Sequence, residues 1–389
     1  MSLDLDLARE RFDSSQDFTI GLEEEFAILD PRTLELEHRF EEVMAACRAD
    51  EELVEAAAGE LIASEVEIRS GRAESFAEAV ERQRERRARL FELVAGMGLA
   101  LAAMGTHPWA SYLDQRIIDT PHYNRLRREL GWVAQRNNTW SLHLHMGVRG
   151  ADRAIAVCDR LRELLPLLLA VSANSPFLDG HDTGLHSVRS EIFTRTFPRC
   201  GVPSQFGDWS SYAGFIDTLQ RAGSVIESTQ LWWSVRPHHS FGTVEVRICD
   251  AQTRGEESFA LAALIAACIG QAALDYDDGG YEGGGRMLAD REIEENLWRA
   301  IRHGAGGRMI DFRRGGAEVP TRSLLEQVLT WSEPARSQLG LEVSLPERNG
   351  AERAREALDN GISIEDVYRD AVAETRRTYA GAPKSRQSA

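Results

Sequence analysis

The sequence predicts an α+β fold in which one face of a sheet is open to ligands and helices cover the other. Three observations lead there. Short β-patterned segments carry acidic or imidazole residues at every second position, long helical segments separate them, and each strand gathers its polar groups on one face. Strands separated by helices also suit a parallel α/β sheet. A sheet covered on both faces, however, would not tolerate strands that are acidic along one of them.

The first strand is Phe18-Thr19-Ile20-Gly21-Leu22-Glu23-Glu24-Glu25-Phe26-Ala27-Ile28-Leu29, stopped by Asp30-Pro31. Alternation points Glu23 and Glu25 one way and Glu24 the other. Two carboxylates about 7 Å apart on one face repel unless a positive charge lies between them. A solvated strand face is the other reading of a lone Glu-x-Glu. Residues 33–37 predict a short return arm and 40–58 a helix. Residues 60–69 alternate again, with Glu65 and Glu67 on one face and Glu60 where the chain enters.

A helix over 75–96 offers Phe76, Val80, Leu90, Phe91 and Val94 to a core, and 99–104 is a short apolar strand. Residues 121–135 read as helix. Residues 139–148 read as a third polar strand with Ser141, His143 and His145 on one face. The apolar helix 152–174 bends at Pro166. Residues 175–205 form a long irregular loop bearing Arg189, Arg195 and Arg199, and long ordered loops tend to be functional. A helix over 209–221 precedes two strands, 231–236 and 243–249, the second placing Glu245 and Arg247 on one face. Helix 258–274, a glycine-rich insert at 277–285 and a helical stretch over 290–379 complete the chain. With no repeat and no linker, residues 1–389 read as one catalytic domain: a sheet-bearing core over 18–275, a helical part over 290–380 and a flexible tail over 381–389.

Composition excludes several functions. Among 389 residues the net charge is −17, which disfavours nucleic acid and anionic membrane as partners. No apolar run reaches membrane-spanning length, and the acidic start lacks the regions of a signal peptide. Five scattered cysteines without Cys-x-x-Cys point to a reducing cytoplasm rather than a disulfide framework or structural zinc. Of 45 basic residues only Lys384 is a lysine. That excludes a P-loop, a pyridoxal-phosphate enzyme and a protein kinase, each of which needs a lysine at its centre. An anionic substrate must be held by arginine, metal or backbone N–H groups.

Four strands thus each offer charged or imidazole groups on one face: Glu23/Glu25, Glu60 with Glu67, His143/His145 and Glu245/Arg247. Each alone also reads as a surface ion pair or a hydrogen-bonded structural histidine. Together, so many carboxylates on one face need cations. Oxygen donors with one or two imidazoles suit Mg²⁺ or Mn²⁺ rather than zinc. Metals lining a cleft beside arginines suit a nucleoside triphosphate and phosphoryl transfer.

Several motifs occur in order: 21–31 (GLEEEFAILDP), 64–71 (SEVEIRSG), 105–108 (GTHP), 143–148 (HLHMGV), 173–177 (ANSPF), 235–253 (VRPHHSFGTVEVRICDAQT) and 295–304 (ENLWRAIRHG). In these motifs, from residue 18 to about 355, the chain resembles the carboxylate–amine ligases, the type 2 glutamate–cysteine ligase group of the glutamine-synthetase-like superfamily. The resemblance implies an antiparallel sheet curved into a funnel, helices on its outer face and an ATP site in its mouth. It implies Mg²⁺ (or Mn²⁺) held by residues matching Glu23, Glu25, Glu60, Glu67, His143 and Glu245, with ATP as co-substrate. Arg247 matches the arginine near the transferred phosphate, and Arg189 lies in the loop expected to meet the acid substrate. His145, Arg236, Asn174 and Arg299 fall in motifs expected to contact substrate or nucleotide.

The implied reaction phosphorylates a carboxylate, which an amine then attacks to give an amide, in the simplest case γ-glutamylcysteine. Its partners are a small-molecule acid and amine, with a homo-oligomer left open. Residues 175–205, and less directly 277–285, are the expected lid over the acyl phosphate. The alternatives are a metal-dependent phosphotransferase or phosphohydrolase on the same fold, or a catalytically idle ligand-binding homologue.

Overall fold

The computed structural model describes residues 3–279 and 286–380, so most of the glycine-rich insert and the 381–389 tail lie outside the described residues. Among the described residues, seven strands form one antiparallel sheet: β1 (Ile20–Leu29), β2 (Ala57–Ala58), β3 (Glu65–Arg69), β4 (Ala100–Ala102), β5 (Ser141–Gly147), β6 (Val235–His238) and β7 (Thr243–Asp250). Their order is β6-β7-β5-β1-β3-β2, and β4 pairs with the far end of β1. The register sets Glu23 opposite both His143 and Arg69, Glu25 opposite Glu67, and His145 opposite Glu245.

Alternation then sorts the side chains. Leu22, Leu142, Leu144, Met146, Val244 and Val246 face helices Ala151–Leu161, Leu165–Ser172 and Gly255–Asp277 in one apolar core. A second core lies under the other end of β1, where Phe26 meets Phe91 and Tyr379 edge-on. Helix Phe76–Gly96, capped by Ser75, covers β1 and β3 on this side. It buries Leu90, Phe91 and Val94 as expected, while Phe76 and Val80 are half-buried.

Local chemistry shortens several expected elements. The 40–58 helix stops at Arg48, where the Asp50 carboxylate accepts the Glu52 N–H in a turn that leads into β2. The second acidic strand begins only at Glu65, because residues 61–63 pair with 116–118 instead, and Glu60 therefore lies outside it. Helix Pro121–Leu130 ends at Gly131, φ 59°, and a 3₁₀ segment follows to Asn137. The 152–174 helix is two helices broken at 162–164, with Pro166 in the first turn of the second. The long 175–205 loop contains a helix, Val188–Thr196, capped by Ser187. The late helical part includes a small hairpin, Arg308–Asp311 with Ala317–Pro320.

One expectation on membranes needs correction. Helix Gly255–Asp277 is long and apolar enough to cross a bilayer, but 89% of that stretch is buried inside the protein. Its hydropathy reflects a core helix packed on the sheet.

Candidate active site

The open face of the sheet lines a cavity of about 330 Å³. β1 contributes Glu23 and Glu25, β3 Arg69, β5 Ser141 and His145, β6 Arg236 and His238, and β7 Glu245 and Arg247; Glu60 and Arg189 reach it from the flanking segments. His143 is the hub of this face. Its Nδ1 is 3.2 Å from Glu23 Oε2, and its Nε2 is 2.7 Å from Ser141 Oγ and 3.6 Å from Glu25 Oε1. Ser141 in turn donates both its N–H, at 2.5 Å, and its hydroxyl, at 2.6 Å, to Glu25.

Two sets of ligand atoms, each within 4.8 Å of one another, meet at this imidazole: Glu23, His143 and Glu245, and Glu25, Glu67 and His143. Carboxylates with one imidazole are a hard, oxygen-rich donor set of the kind Mg²⁺ and Mn²⁺ take. Glu67 Oε2 and both oxygens of Glu65 are buried with no hydrogen-bond partner, as oxygens awaiting a cation would be. The residues fit the ion.

Arginines complete the charge pattern. Arg236 donates Nε to Glu245 Oε2 at 2.6 Å and Nη2 to Oε1 at 3.2 Å, and Arg247 pairs with Glu245 while lying 3.5 Å from His143 Nδ1. Arg69 bridges Glu67 and Glu23. Arg189 donates to the carbonyls of Ile248 and Arg247 at 3.1 and 3.2 Å and to Asp250 at 3.4 Å, so its charge is fixed at the rim of the face.

The electrostatics divide the carboxylates. Burial would raise Glu23, but His145, His143 and Arg69 hold it well below the usual range. Glu245 is likewise held low, against its burial, by Arg236 and Arg247. Burial and then Glu25 push Glu60 up to about 7, while burial and neighbouring carboxylates push Glu65 and Glu67 well up. Burial and Arg247 lower His143; His145 rises despite burial, because Glu245 and Glu23 face it.

The structure brings together Glu23, Glu25, Glu67, His143, His145, Arg236, Glu245 and Arg247, with Glu60 and Arg189 at the cavity wall. Two expected site residues lie elsewhere. Asn174 is buried beneath the face, donating its amide to the Ala251 carbonyl at 2.7 Å and Thr253 Oγ1 at 3.1 Å, so it pins loops and does not line the cavity. Arg299 sits on helix Asp290–His303 and pairs with Glu295 and Glu318, outside the cavity.

Three contributors escaped the sequence reading. Asp250 accepts from Asn174 N–H, Ser175, Ser187 and Arg189, and so positions the last. Arg69 shares the face of Glu67, and strand parity alone could have found it. Tyr123 bonds the Gly59 carbonyl at 2.6 Å beside Glu60, from a helix remote in sequence, and nothing local signals it.

The profile of glutamate-cysteine ligase family 2 matches residues 19–382. The chain belongs to this family. It is an enzyme of the ligase class. A protein of Rubrobacter xylanophilus carrying the provisional name glutamate–cysteine ligase 2-2 is 39% identical, over 94% of this chain and 92% of that protein. A Sorangium cellulosum protein provisionally named glutamate–cysteine ligase 2 is 37% identical, over 90% of each. Among solved structures, the glutamate–cysteine ligase of Francisella tularensis shares the fold, with a TM-score of 0.64 at 10% identity over 96% of this chain and 91% of that one. So does the bifunctional glutathione synthetase of Pasteurella multocida, with a TM-score of 0.66 at 12% identity over 96% of this chain and 53% of that one.

Proposed function

We propose that the chain joins a carboxylic acid to an amine at the expense of ATP through an acyl phosphate, with glutamate and cysteine, or a related pair, as substrates. The observation that carries this reading is the pair of three-ligand groups sharing His143, with Arg247 against both His143 and Glu245. Mg²⁺ or Mn²⁺ held by Glu23, His143 and Glu245 and by Glu25, Glu67 and His143 would offset the negative charge of the triphosphate and of the phosphoryl group in flight. Glu60, at the cavity wall, completes the expected acidic set.

The residues of this chain do the rest. Arg247, its forked head anchored by Glu245, is fixed before the substrates arrive, which makes its charge available without reorganisation. The acid's carboxylate oxygen attacks the γ-phosphorus, the bond to the β-phosphate oxygen breaks, and ADP leaves. The amine nitrogen then attacks the acyl carbon, the C–O bond to phosphate breaks, and the nitrogen gives up a proton. Arg189, held at the rim, is suited to the acid's second carboxylate, while helix Val188–Thr196 walls that side against water. His145 and Arg236 meet the nucleotide or acid on the same face. The five cysteines are free, as suits a reducing cytoplasm.

Nucleotide chromatography with product mass detection tests the reading. ADP and phosphate should accompany the amide, with slow ADP release when no amine is present. AMP and pyrophosphate would overturn the mechanism, and rapid amine-independent ADP release would favour a phosphohydrolase on the same metal face.

A further inference from the structure

Most of the cavity is charged, yet aromatic and apolar side chains also line it: Phe193, Phe197 and Trp232, with Leu126, Leu130 and Tyr123, which cluster with Trp232. The Phe193 and Phe197 rings stack at 4.6 Å, and Phe197 meets Trp232 edge-on at 6.0 Å. These rings come from helix Val188–Thr196 and from the residues just before β6, and Leu126 and Leu130 from helix Pro121–Leu130. Three separate segments therefore build the wall, which is a shaped surface rather than one exposed side chain.

The register shows at which end of the face this wall stands. At one end of the face Thr243 pairs with Gly147 and with His238; at the other Asp250 pairs with Ser141. Helix Val188–Thr196 sits at the Asp250 end, where Arg189 bonds the Ile248 carbonyl. The opposite end carries a flat ring pair, His238 on Phe241, with centroids 4.4 Å apart and planes 12° apart, and Phe241 is 59% exposed.

A polyphosphate and a dicarboxylic acid gain nothing from apolar walls. The reactants of an ATP-dependent amide synthesis keep only two groups that do: the purine and the side chain of the amine. The exposed flat pair at the hairpin end is a stacking surface for a planar base. The three-ring wall at the Asp250 end is left for the amine. A cysteine side chain, a single CH2–SH group, would cover little of three aromatic rings that can each bury about 150–250 Å². We propose that the amine substrate carries a large apolar side chain, of the size and aromatic character of phenylalanine or phenethylamine, and that Phe193, Phe197 and Trp232 select it. This rests on the ligase reading above.

The test uses the full chain with Mg²⁺, ATP and glutamate, and follows phosphate release and product mass with cysteine, alanine, leucine, phenylalanine and phenethylamine. The aromatic amines should exceed cysteine in kcat/KM by tenfold or more. Phe193→Ala and Trp232→Ala should each raise the KM for the aromatic amine at least tenfold while leaving the KM for ATP within twofold, and melting curves should show both variants folded. Should Trp232→Ala fail to fold, Phe193→Ala and Trp232→Phe decide the matter by the same KM comparison. Cysteine as the best amine, or wall variants that leave the amine KM unchanged, would overturn the proposal. A rise in the KM for ATP instead would assign the wall to the purine and overturn it as well. Phosphate release unaffected by every amine would mark failure of the ligase reading itself.

Discussion

Glu24 and Glu25 are adjacent in β1, yet they meet opposite worlds. Glu24, on the helix side, accepts from Gln83 at 2.8 Å, Arg87 at 3.2 Å and Ser258 at 2.5 Å, and Arg87 is itself sandwiched between the Phe259 and Tyr379 rings. Every charge there has a partner supplied by the protein. On the open side Glu25 stands opposite Glu67, with Glu65 two residues along the same face, and three carboxylate oxygens of Glu65 and Glu67 have no hydrogen-bond partner. One residue of register separates a structural ion pair from a site that the protein leaves electrostatically incomplete. The lesson is that burial alone does not mark function; an unbalanced charge in a buried place does.

The sharpest way to probe the open face is Arg247→Lys. Lysine keeps the charge but loses the fork that engages Glu245 while reaching a phosphate. We expect kcat to fall about 10²–10³-fold with the fold intact, measured by ADP release and circular dichroism. Near-normal turnover would reduce Arg247–Glu245 to a plain ion pair.

On the closed face the damage should be to stability. Glu24→Leu strands Arg87 in the core, and urea unfolding should show a loss of about 3–5 kcal/mol. Glu67→Gln should do the reverse in chelator: unfolding free energy equal to or above that of the native protein, with metal-dependent activity lost. A similar destabilisation in both variants would erase the distinction between the faces.

The open face should also respond to pH. Glu60, Glu65 and Glu67 have folded pKa values raised above 4.5, so the stability they contribute is complete below that pH and is lost as pH rises through their folded values, about 7 for Glu60. His145, raised from 6.5, acts in the same direction at higher pH, whereas the lowered His143 opposes it. Glu23 and Glu245 are held low and are constant above pH 4.5. The melting temperature in chelator should therefore fall between pH 5 and 8. Mg²⁺ should stabilise more at pH 8 than at pH 5, since only the ionised carboxylates bind it. Calorimetry at both pH values with and without Mg²⁺ gives the answer, and a metal increment independent of pH would refute it.

The smallest effect belongs to Arg299→Ala. With its guanidinium held by Glu295 and Glu318 outside the cavity, its loss should change stability by about 0.5 kcal/mol or less and leave kcat/KM unchanged. A drop in kcat/KM would return Arg299 to the site.

How much of this was readable in the chain follows from which contacts are local. Alternation along one strand gave the shared face of Glu23 and Glu25, of His143 and His145, and of Glu245 and Arg247, because a period of two needs no tertiary information. It failed at Glu60, whose segment abandons the strand to pair with residues 116–118. It could not separate Asn174 from a ligand-binding residue, since a motif names a residue without saying which way it points. The apolar wall of the cavity was invisible for a similar reason: its side chains come from segments around 126, 193 and 232 that only the fold assembles.

Asn174 has one more neighbour. Gly350, which opens helix Gly350–Asp359, lies so close that a Cβ there would overlap the Asn174 side chain, while the Ala351 N–H bonds the Ala173 carbonyl and the Asn349 amide bonds that of Ala170. The Asn174 backbone N–H in turn bonds Asp250, which steadies Arg189. A late stretch of chain outside the cavity is thus the keystone beneath the rim of the open face. Grafting, shortening or permuting the chain near residue 350 would unseat Arg189 from more than 150 positions away in sequence.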